Sequence, residues 1–307
     1  ELIKNEFGFA FATESWRDIL ERDVDIAIIA TPHHLHFEQA KAFLEKGCHV
    51  LVEKPMCLDP REAWILVDTA RRAGRELVVS YGWHYKPHLA KARRLIERIG
   101  TIEHVLCHMA SFTRSVFTGD GSVPKWKQTK IQPEAETWQS ASHGGGFAYG
   151  QLSHALGILF WVSDLRTASM RAIAGTADSG IDLHDAALVR FTNGATGVLS
   201  GSCGVPPGHG FELELRLYGE RGSVLIDIET ERLVLKLPGG VSEVVDVPSG
   251  SWNYSCEGPA NVLVDLALGT GVNESRGDIG ARAVETLAAL VGSARAGGQE
   301  FLVDSLG

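Results

Sequence analysis

The sequence predicts an α/β protein in two parts: a parallel-sheet domain over residues 1–86, then an α+β domain over residues 87–307 built on a large, mostly antiparallel sheet. In the first part, short apolar runs alternate with amphipathic segments of helix length, which is typical of strand–helix–strand units with parallel strands. In the second part, strand-length segments follow one another, separated by turn signals such as Thr192-Asn193-Gly194. Such turns join antiparallel neighbours.

The composition excludes several classes of function. The chain has 307 residues, of which 44% are hydrophobic and 22% charged, as in globular proteins with sizeable cores. A net charge of −9 without a basic stripe argues against nucleic-acid and anionic-membrane partners. No apolar run reaches membrane-spanning length. The five scattered cysteines favour reduced thiols in a cytoplasmic protein over a disulfide framework.

The first 24 residues carry weak signals. Residues 1–7 are expected to end a helix, residues 9–12 to form a short strand, and Thr13 to cap a helix around residues 15–22. The continuous apolar run of residues 25–30 is a strand buried on both faces.

The rest of the first part has clear boundaries. Pro32 suits the first position of a helix that Gly47 ends, and residues 48–52 form the next buried strand. Asp59 and Pro60 open another helix, which ends at Gly74. Residues 77–80 are then a further strand of the parallel sheet.

The second part begins with a helix over residues 88–99 and a strand over residues 102–111. The long polar stretch of residues 113–143, which contains Trp126 and Trp138, is predicted to be a binding loop. A glycine-rich segment and the antiparallel strands follow it. Strands are predicted at residues 169–175, 185–191, 197–203, 212–219, 223–228 and 232–237, and a last helix at residues 279–296.

Two motifs meet at one edge of the predicted parallel sheet. Thr31-Pro32 follows the first buried strand, and Glu53-Lys54-Pro55 follows the second. Ligands of open α/β sheets bind just beyond the carboxyl ends of strands. A partly desolvated Lys54 ammonium there has a lowered pKa and is able to position or protonate a substrate oxygen.

TPHHLH at residues 31–36, EKP at residues 53–55 and GGG…H at residues 144–154 together resemble the Gfo/Idh/MocA oxidoreductase family. The resemblance covers nearly the whole chain. It implies a Rossmann-type first domain, NAD or NADP as cofactor, and hydride transfer on a sugar, cyclitol or related polyol. It also implies a homo-oligomer, a dimer or tetramer, that associates through the exposed face of the antiparallel sheet.

The resemblance assigns roles to particular residues. Lys54 and His154 are implied to be catalytic, and cofactor contacts are implied for Thr31, Pro32, His36, Glu53 and Lys54. His154 has an ordinary pKa near working pH, which suits a general acid or base. The family places an Asp four residues before this His, but here Gly150 stands at that position.

Several polar and aromatic residues are candidates for substrate contact, with core packing or a solvated turn as the alternative. They are Trp83, His84, Tyr85, Trp138, Tyr149, Gln151 and Asp185. His33 and His34 are expected to be solvated residues of a first helical turn. No metal site is predicted, because no carboxylate or cysteine completes a ligand set with them.

The phosphate-binding GxGxxG turn of a dinucleotide domain does not occur in this sequence. Compared with the family pattern, the chain is expected to lack the first strand–helix–strand unit, leaving residues 25–30 as an apolar edge. Either the sequence is truncated at its N-terminus or it is a relative that has lost its cofactor. In either case the chain as given is not expected to hold a dinucleotide tightly. Two other functions therefore stay open: an NAD-dependent glycosidase of the same fold, and a cofactor-free binding or scaffold protein.

Overall fold

A three-stranded parallel sheet, sheet A, forms the centre of the first part in a computed structural model that describes residues 2–119 and 134–303. Its strands are β1 (Ile26–Ile29), β2 (His49–Val52) and β3 (Leu77–Val79), in the order β1-β2-β3. The strand predicted at residues 9–12 is wrong. No strand lies beside these residues in the described chain, and Phe9 and Phe11 are exposed.

The described helices of the first part are α1 (Leu2–Phe7), α2 (Arg17–Leu20), α3 (His36–Lys46) and α4 (Pro60–Ala73). Local capping signals fix the ends of the two long ones, α3 and α4. The Asp59 side chain accepts hydrogen bonds from the first-turn amides of α4, and Gly47 and Gly74 end α3 and α4 with left-handed backbone conformations. These three predictions are confirmed.

Two other predicted helix starts differ in the structure. Thr13 does not cap α2; its hydroxyl donates to Asp18, and Trp16 occupies the N-cap position. Pro32 precedes a short 3₁₀ turn, His33–Leu35, so α3 begins only at His36. The Thr13 hydroxyl also accepts a hydrogen bond of 3.0 Å from the Ser15 amide, which lies ahead of α2, so it closes a local turn and does not cap the helix.

The second part contains a nine-stranded sheet, sheet B, in the described chain. Its order is β11-β10-β9-β8-β4-β7-β6-β5-β12, and β4 pairs with β7 in parallel while all other pairs are antiparallel. The strands are β4 (Ile102–Ala110), β5 (Thr167–Thr176), β6 (Asp182–Phe191), β7 (Thr196–Ser202), β8 (Glu212–Gly219), β9 (Gly222–Asp227), β10 (Arg232–Leu237), β11 (Val241–Val245) and β12 (Phe301–Leu302). The α/β class with a parallel and a mostly antiparallel sheet is confirmed.

The described helices of the second part are α5 (Pro87–Glu97), α6 (Arg114–Thr118), α7 (Glu136–Gln139), α8 (Ser153–Val162), α9 (Glu257–Ala267) and α10 (Gly277–Arg295). Of these, α5, α8 and α10 pack on the strands of sheet B. The opposite face carries exposed apolar side chains, among them Ile173, Leu188 and Val244.

Helix α9, which the sequence did not reveal, returns from the second part to cover sheet A. Val262 and Leu263 of this helix form a buried cluster with Leu51 of β2 and Val78 of β3. Helix α10 also contacts α4 and β3. The chain boundary at residue 86/87 therefore stays a prediction, because late residues complete the core around the first sheet.

A buried carboxylate ties the two parts together. Glu285 of α10 accepts hydrogen bonds from the Trp64 indole of α4 at 2.6 Å and from the Arg166 guanidinium at 2.7 and 3.1 Å. A carboxylate with three donors offsets its own desolvation, so this contact fixes α10 against α4. In the described part of the chain, none of the helices is long and apolar enough to cross a bilayer.

Candidate active site

Lys54 lies at the carboxyl end of β2, where the loops after β1 and β2 face a π-helical turn, Ala148–Leu152, that leads into α8. Its ammonium nitrogen, Nζ, donates a hydrogen bond of 2.7 Å to the main-chain oxygen of Gly150. The side chain is 9% exposed. Within the described residues, Lys54 makes no ion pair within 4.0 Å.

Burial sets the protonation of Lys54. The low polarity around it lowers the pKa of its ammonium, as the sequence predicted, while the negative charge of Glu53 acts in the opposite direction. An amine held in this way is able to share or release its proton more readily than a surface lysine. Lys54 is therefore the strongest proton donor or acceptor candidate at this strand end.

His154 shares this electrostatic environment. Burial first, and the nearby charge of Lys54 second, hold the pKa of His154 well below its usual range, so the ring is neutral near neutral pH. Its ring lies edge to face between Trp83, at 5.5 Å, and Tyr254, at 5.1 Å between ring centres. Its Nδ1 atom is enclosed without a hydrogen-bond partner in the described chain. The structure thus brings the two predicted catalytic residues together.

Gly150 has two roles at this point of the chain. Its carbonyl oxygen holds Lys54, and its missing side chain leaves room for the Phe117 ring, which a β-carbon at position 150 would approach to 3.3 Å. That distance is shorter than ordinary van der Waals contact. Phe117 therefore disfavours a carboxylate at position 150, and a main-chain oxygen orients Lys54 instead.

Hydrogen bonds to the buried His36 ring fix the loop after β1. The His36 ring is fully buried; its Nε2 lies 2.7 Å from the oxygen of Thr31 and its Nδ1 lies 2.9 Å from the oxygen of Pro55. His36 thus joins the loop that contains Thr31 to the loop that contains Pro55. Because its ring is fully buried, it cannot contact a cofactor, and the contact implied for His36 is corrected. Thr31, half-buried, donates its hydroxyl to Gln39 at 2.8 Å.

The interpretation of His33 as a solvated residue is also wrong. Its ring is buried, Nδ1 lies 3.0 Å from the oxygen of Gly144, and Trp138 packs against it at 5.3 Å. Burial, followed by the charges of His36 and Lys54, lowers the pKa of His33 to about 3. His34 is exposed, as expected, and stacks on His143 at 4.0 Å.

Of the three predicted substrate residues in the segment after β3 (residues 83–85), only Trp83 reaches the site. Its indole contacts His154 and donates to the oxygen of Trp252 at 2.7 Å. His84 is a core residue instead: its ring nitrogens lie 2.8 Å from Ser275 Oγ and 3.0 Å from the oxygen of Gly157, and burial lowers its pKa to about 3. Tyr85 packs on α9. The substrate roles predicted for His84 and Tyr85 are therefore corrected.

The remaining predicted residues divide between two places. Gln151 is half-buried beside Gly150, and Trp138 packs on His33 near the same loops. Tyr149 and Asp185 line a different cavity, whose walls contain neither Lys54 nor His154. Asp185 is buried and is neither in a solvated turn nor at the Lys54 site. Trp126 lies outside the described residues.

Sequence reasoning missed the segment that closes the site opposite α8. Tyr254 contacts both Trp83, at 4.8 Å, and His154, and its hydroxyl donates to the oxygen of Ser80 at 2.7 Å. Cys256, two residues later, lies near Lys54, and burial raises the pKa of its thiol. The Trp-Asn-Tyr run before α9 is the signal in the sequence, because aromatic residues in a polar loop need a packing partner.

Asp185→Asn is expected to make stability less dependent on pH. Burial and the nearby Asp182 raise the pKa of Asp185 to about 9. The folded protein thus holds a proton that the unfolded chain, with a carboxyl pKa of about 3.9, has released. Stability of the wild type then falls as the pH rises from about 4 towards 9, by up to about 1.4 kcal/mol per unit.

The neutral amide removes that contribution. Urea unfolding of the wild type and of Asp185→Asn at about pH 5 and about pH 9 measures how the free energy of unfolding of each depends on pH. We expect the variant to gain stability relative to the wild type at the higher pH, whereas Asp178→Asn, on the exposed turn between β5 and β6, leaves the dependence unchanged. If the stabilities of the wild type and of Asp185→Asn change equally with pH, Asp185 is not protonated in the folded protein.

The chain thus joins a parallel sheet, whose strand ends present a buried lysine, to a large, mostly antiparallel sheet whose covering helix presents a histidine. Comparison with known sequences identifies the family. Residues 1–81 match the description "Oxidoreductase family, NAD-binding Rossmann fold", and residues 89–225 match "GFO/IDH/MocA C-terminal domain". The chain belongs to the Gfo/Idh/MocA oxidoreductase family, which confirms the resemblance and an NAD-binding type of first domain.

Individual relatives agree with this assignment. Levoglucosan dehydrogenase of Pseudarthrobacter phenanthrenivorans is 27% identical over 238 residues, which are 73% of this chain and 60% of that protein. The chain thus spans less than two thirds of that relative's length. A structure of levoglucosan dehydrogenase with NADH and levoglucosan superposes with a TM-score of 0.75 at 21% identity, covering 98% of this chain and 86% of that one.

The fold is shared more widely. An inositol dehydrogenase homolog from Azotobacter vinelandii, in complex with NAD+, superposes with a TM-score of 0.73 at 21% identity and covers 93% of this chain and 80% of that one. At such identities the superpositions establish the fold. The chemistry of this chain has to be argued from its own residues.

Proposed function

We propose that the protein oxidises or reduces a CH–OH group of a sugar, cyclitol or related polyol, with NAD or NADP as the hydride carrier. The observation that carries the proposal is the placement of Lys54 Nζ on the Gly150 oxygen in the same buried site as His154. A lowered-pKa amine and a neutral imidazole are suited to move the hydroxyl proton of such a substrate. Relatives that act on levoglucosan support the substrate class.

The residues present fit one end of a dinucleotide crevice. Thr31, Pro32 and Lys54 stand at the carboxyl ends of the neighbouring strands β1 and β2, where the nicotinamide end of the cofactor would lie. Beside them, Ile28 of the edge strand β1 is 57% exposed, on a sheet that is otherwise largely covered. In the described residues, neither β1 nor β2 leads through a glycine-rich turn into a helix, so no pyrophosphate-binding residues are assigned.

In the proposed mechanism, bound NAD(P) supplies the hydride chemistry and the chain handles the proton. Lys54 Nζ donates a hydrogen bond to the reacting oxygen and stabilises negative charge on it. His154 takes the hydroxyl proton at Nε2, since Nδ1 is enclosed by protein. As the C–H bond of the alcohol breaks, the carbonyl forms and the proton stays on the ring until solvent removes it; reduction runs in the opposite direction.

The aromatic side chains around His154 form one wall of the site. Trp83 and Tyr254 fix the ring from two sides and leave it little rotational freedom. Aromatic faces also suit the C–H faces of a sugar or cyclitol. Both effects favour a substrate that presents one hydroxyl towards Lys54 and His154.

The full-length protein tests the proposal directly. It is incubated with NAD+ or NADP+ and with levoglucosan, myo-inositol and common aldoses, and reduced nicotinamide is followed by absorbance. Formation of the reduced cofactor with at least one polyol is expected. Release of sugar from a glycoside without net cofactor change identifies the glycosidase function instead, and failure of either dinucleotide to bind identifies the cofactor-free function.

We also propose a homo-oligomer, held together by the outer face of sheet B. Ile173 of β5 and Leu188 of β6 lie on neighbouring strands and are 67% and 63% exposed. Exposed aliphatic side chains on a broad sheet are typical of contact surfaces. Sedimentation velocity should give a dimer or tetramer, and Leu188→Lys should shift it towards the monomer.

A further inference from the structure

A second cavity lies away from Lys54 and His154, between the C-terminal half of α10, the β5–β6 hairpin and the segment that leads into the π-helical turn. It encloses about 80 Å³. Leu290, Val291 and Ala294 of α10 form an apolar wall. Its polar lining comes from Asp182, Asp185, Tyr149, Thr176 and Arg295.

Asp185 forms the floor of this cavity. The side chain is 3% exposed, and apart from a proton shared with the neighbouring Asp182 carboxyl no donor of the described chain reaches its oxygens. Gly201 of β7 lies directly beneath it, with room for no side chain, because a β-carbon there would come within 2.8 Å of Phe147 and 3.2 Å of Asp185. Two buried carboxyl groups with so few donors between them cost stability, unless a ligand supplies further donors.

The neighbouring Asp182 is already used by the fold. Its Oδ2 accepts a hydrogen bond of 2.6 Å from the amide of Ala148, at the start of the π-helical turn. The second oxygen, Oδ1, lies against Gly146, where a β-carbon would approach it to 2.2 Å, so the glycine is required. Asp182 is therefore fixed in place, and Asp185 is the group left to meet a ligand.

We propose that this cavity binds a small organic cation: an amine, amidine or guanidine whose N–H groups point at Asp185 and whose apolar body lies along α10. A positively charged donor would take the place of the proton that Asp185 and Asp182 share and compensate both carboxyl groups at once. The aliphatic wall of α10 excludes a fully polar ligand. The proposal does not depend on the oxidoreductase function, since none of these residues touches the Lys54 site.

The charged and titratable groups that face Asp185 come from three elements. Asp182 shares its strand, Tyr149 comes from the π-helical turn, and Arg295 comes from α10. Burial raises the pKa of the Tyr149 hydroxyl, so it stays protonated near neutral pH. Arg295 is the one cation that lines the cavity in the described chain, and its own side chain is the alternative occupant.

Cation binding should be linked to the release of a proton. Asp185 is protonated near neutral pH, because burial and Asp182 raise its pKa to about 9. A bound cation favours the carboxylate, so its affinity should rise by up to about tenfold per pH unit between about pH 7 and 9. A neutral ligand of the same shape has no such dependence.

Isothermal titration calorimetry with benzamidine, and with benzamide as the neutral isostere, tests the proposal on the full chain without cofactor. Benzamidine should bind, tighten with pH and release a proton, seen as a dependence of the heat on the buffer; benzamide should bind at least tenfold more weakly. Asp185→Asn should weaken benzamidine at least tenfold, and Asp178→Asn should leave its affinity unchanged. Ala294→Met, which narrows the cavity without touching the carboxyl groups, should also weaken binding.

Three results overturn the proposal. Equal binding of benzamidine and benzamide means that the cavity does not select for charge. Binding that survives both Asp185→Asn and Ala294→Met places the ligand elsewhere. Binding that occurs only in Arg295→Ala means that the arginine of this chain is the natural occupant.

Discussion

Replacing Lys54 by Met is expected to lower kcat by about 10²–10⁴-fold, the usual contribution of a positioned proton donor or acceptor. Methionine keeps the length and apolar contacts of the side chain but removes the ammonium, so the reacting oxygen loses its hydrogen bond. The KM should change much less, because most of the wall around the substrate is aromatic. Steady-state kinetics of the full-length variant measure both.

The stability of the Lys54 variant separates a catalytic from a structural role. The Gly150 oxygen loses a donor, which costs about 1–3 kcal/mol, but the cost of burying an ammonium disappears at the same time. We therefore expect little change in the thermal unfolding midpoint. Lys41→Met, on the exposed face of α3, is the matched control and should leave activity unchanged. A large loss of stability with unchanged kcat would contradict the proposed role.

His154→Asn is expected to lower kcat/KM by about 100-fold or more, because an amide cannot exchange a proton. The pH profile of the wild type carries further information. Burial and the charge of Lys54 hold the pKa of His154 well below 6.5, so the ring is already neutral at that pH. A base works in its neutral form, above its pKa, and the acid limb of the profile should therefore lie well below the ordinary histidine value.

Two comparisons sharpen this expectation. In Lys54→Met, the removal of a positive charge should raise the pKa of His154 towards its ordinary value, which NMR titration of the ring protons measures. His209→Asn, in an exposed loop, should leave both the rate and the profile unchanged. An acid limb centred near 6.5 that disappears in His154→Asn would show that the ring titrates normally and is not buried against Lys54.

The sequence was informative wherever the structure depends on local signals. Asp59 before Pro60, and the glycines at positions 47 and 74, each act within one helical turn, and the structure has the caps where they were predicted. Family motifs did the same for the site: EKP and the distant His154 meet as expected. Strand alternation in the second part was clear, because one face of sheet B packs on helices and the other does not.

Long-range packing decided what the sequence could not reveal. His33 and His84 look like polar loop residues, yet carbonyl oxygens of Gly144 and Gly157, over 70 positions away along the chain, bind their rings. Asp185 resembles a turn residue, but it faces α10. The segment around Tyr254 was overlooked because its partners, Trp83 and His154, lie in two other regions of the chain.

The return of α9 to sheet A has a consequence for synthesis on the ribosome. The apolar side chains of Leu51 and Val78 leave the exit tunnel roughly 180–210 residues before the helix that shields them, an interval of about 10–40 s at about 5–20 residues per second. During that interval the nascent first sheet exposes an apolar surface that α9 later covers. We expect chaperones that bind apolar segments of nascent chains to associate with it, and their release to coincide with emergence of residues 257–267.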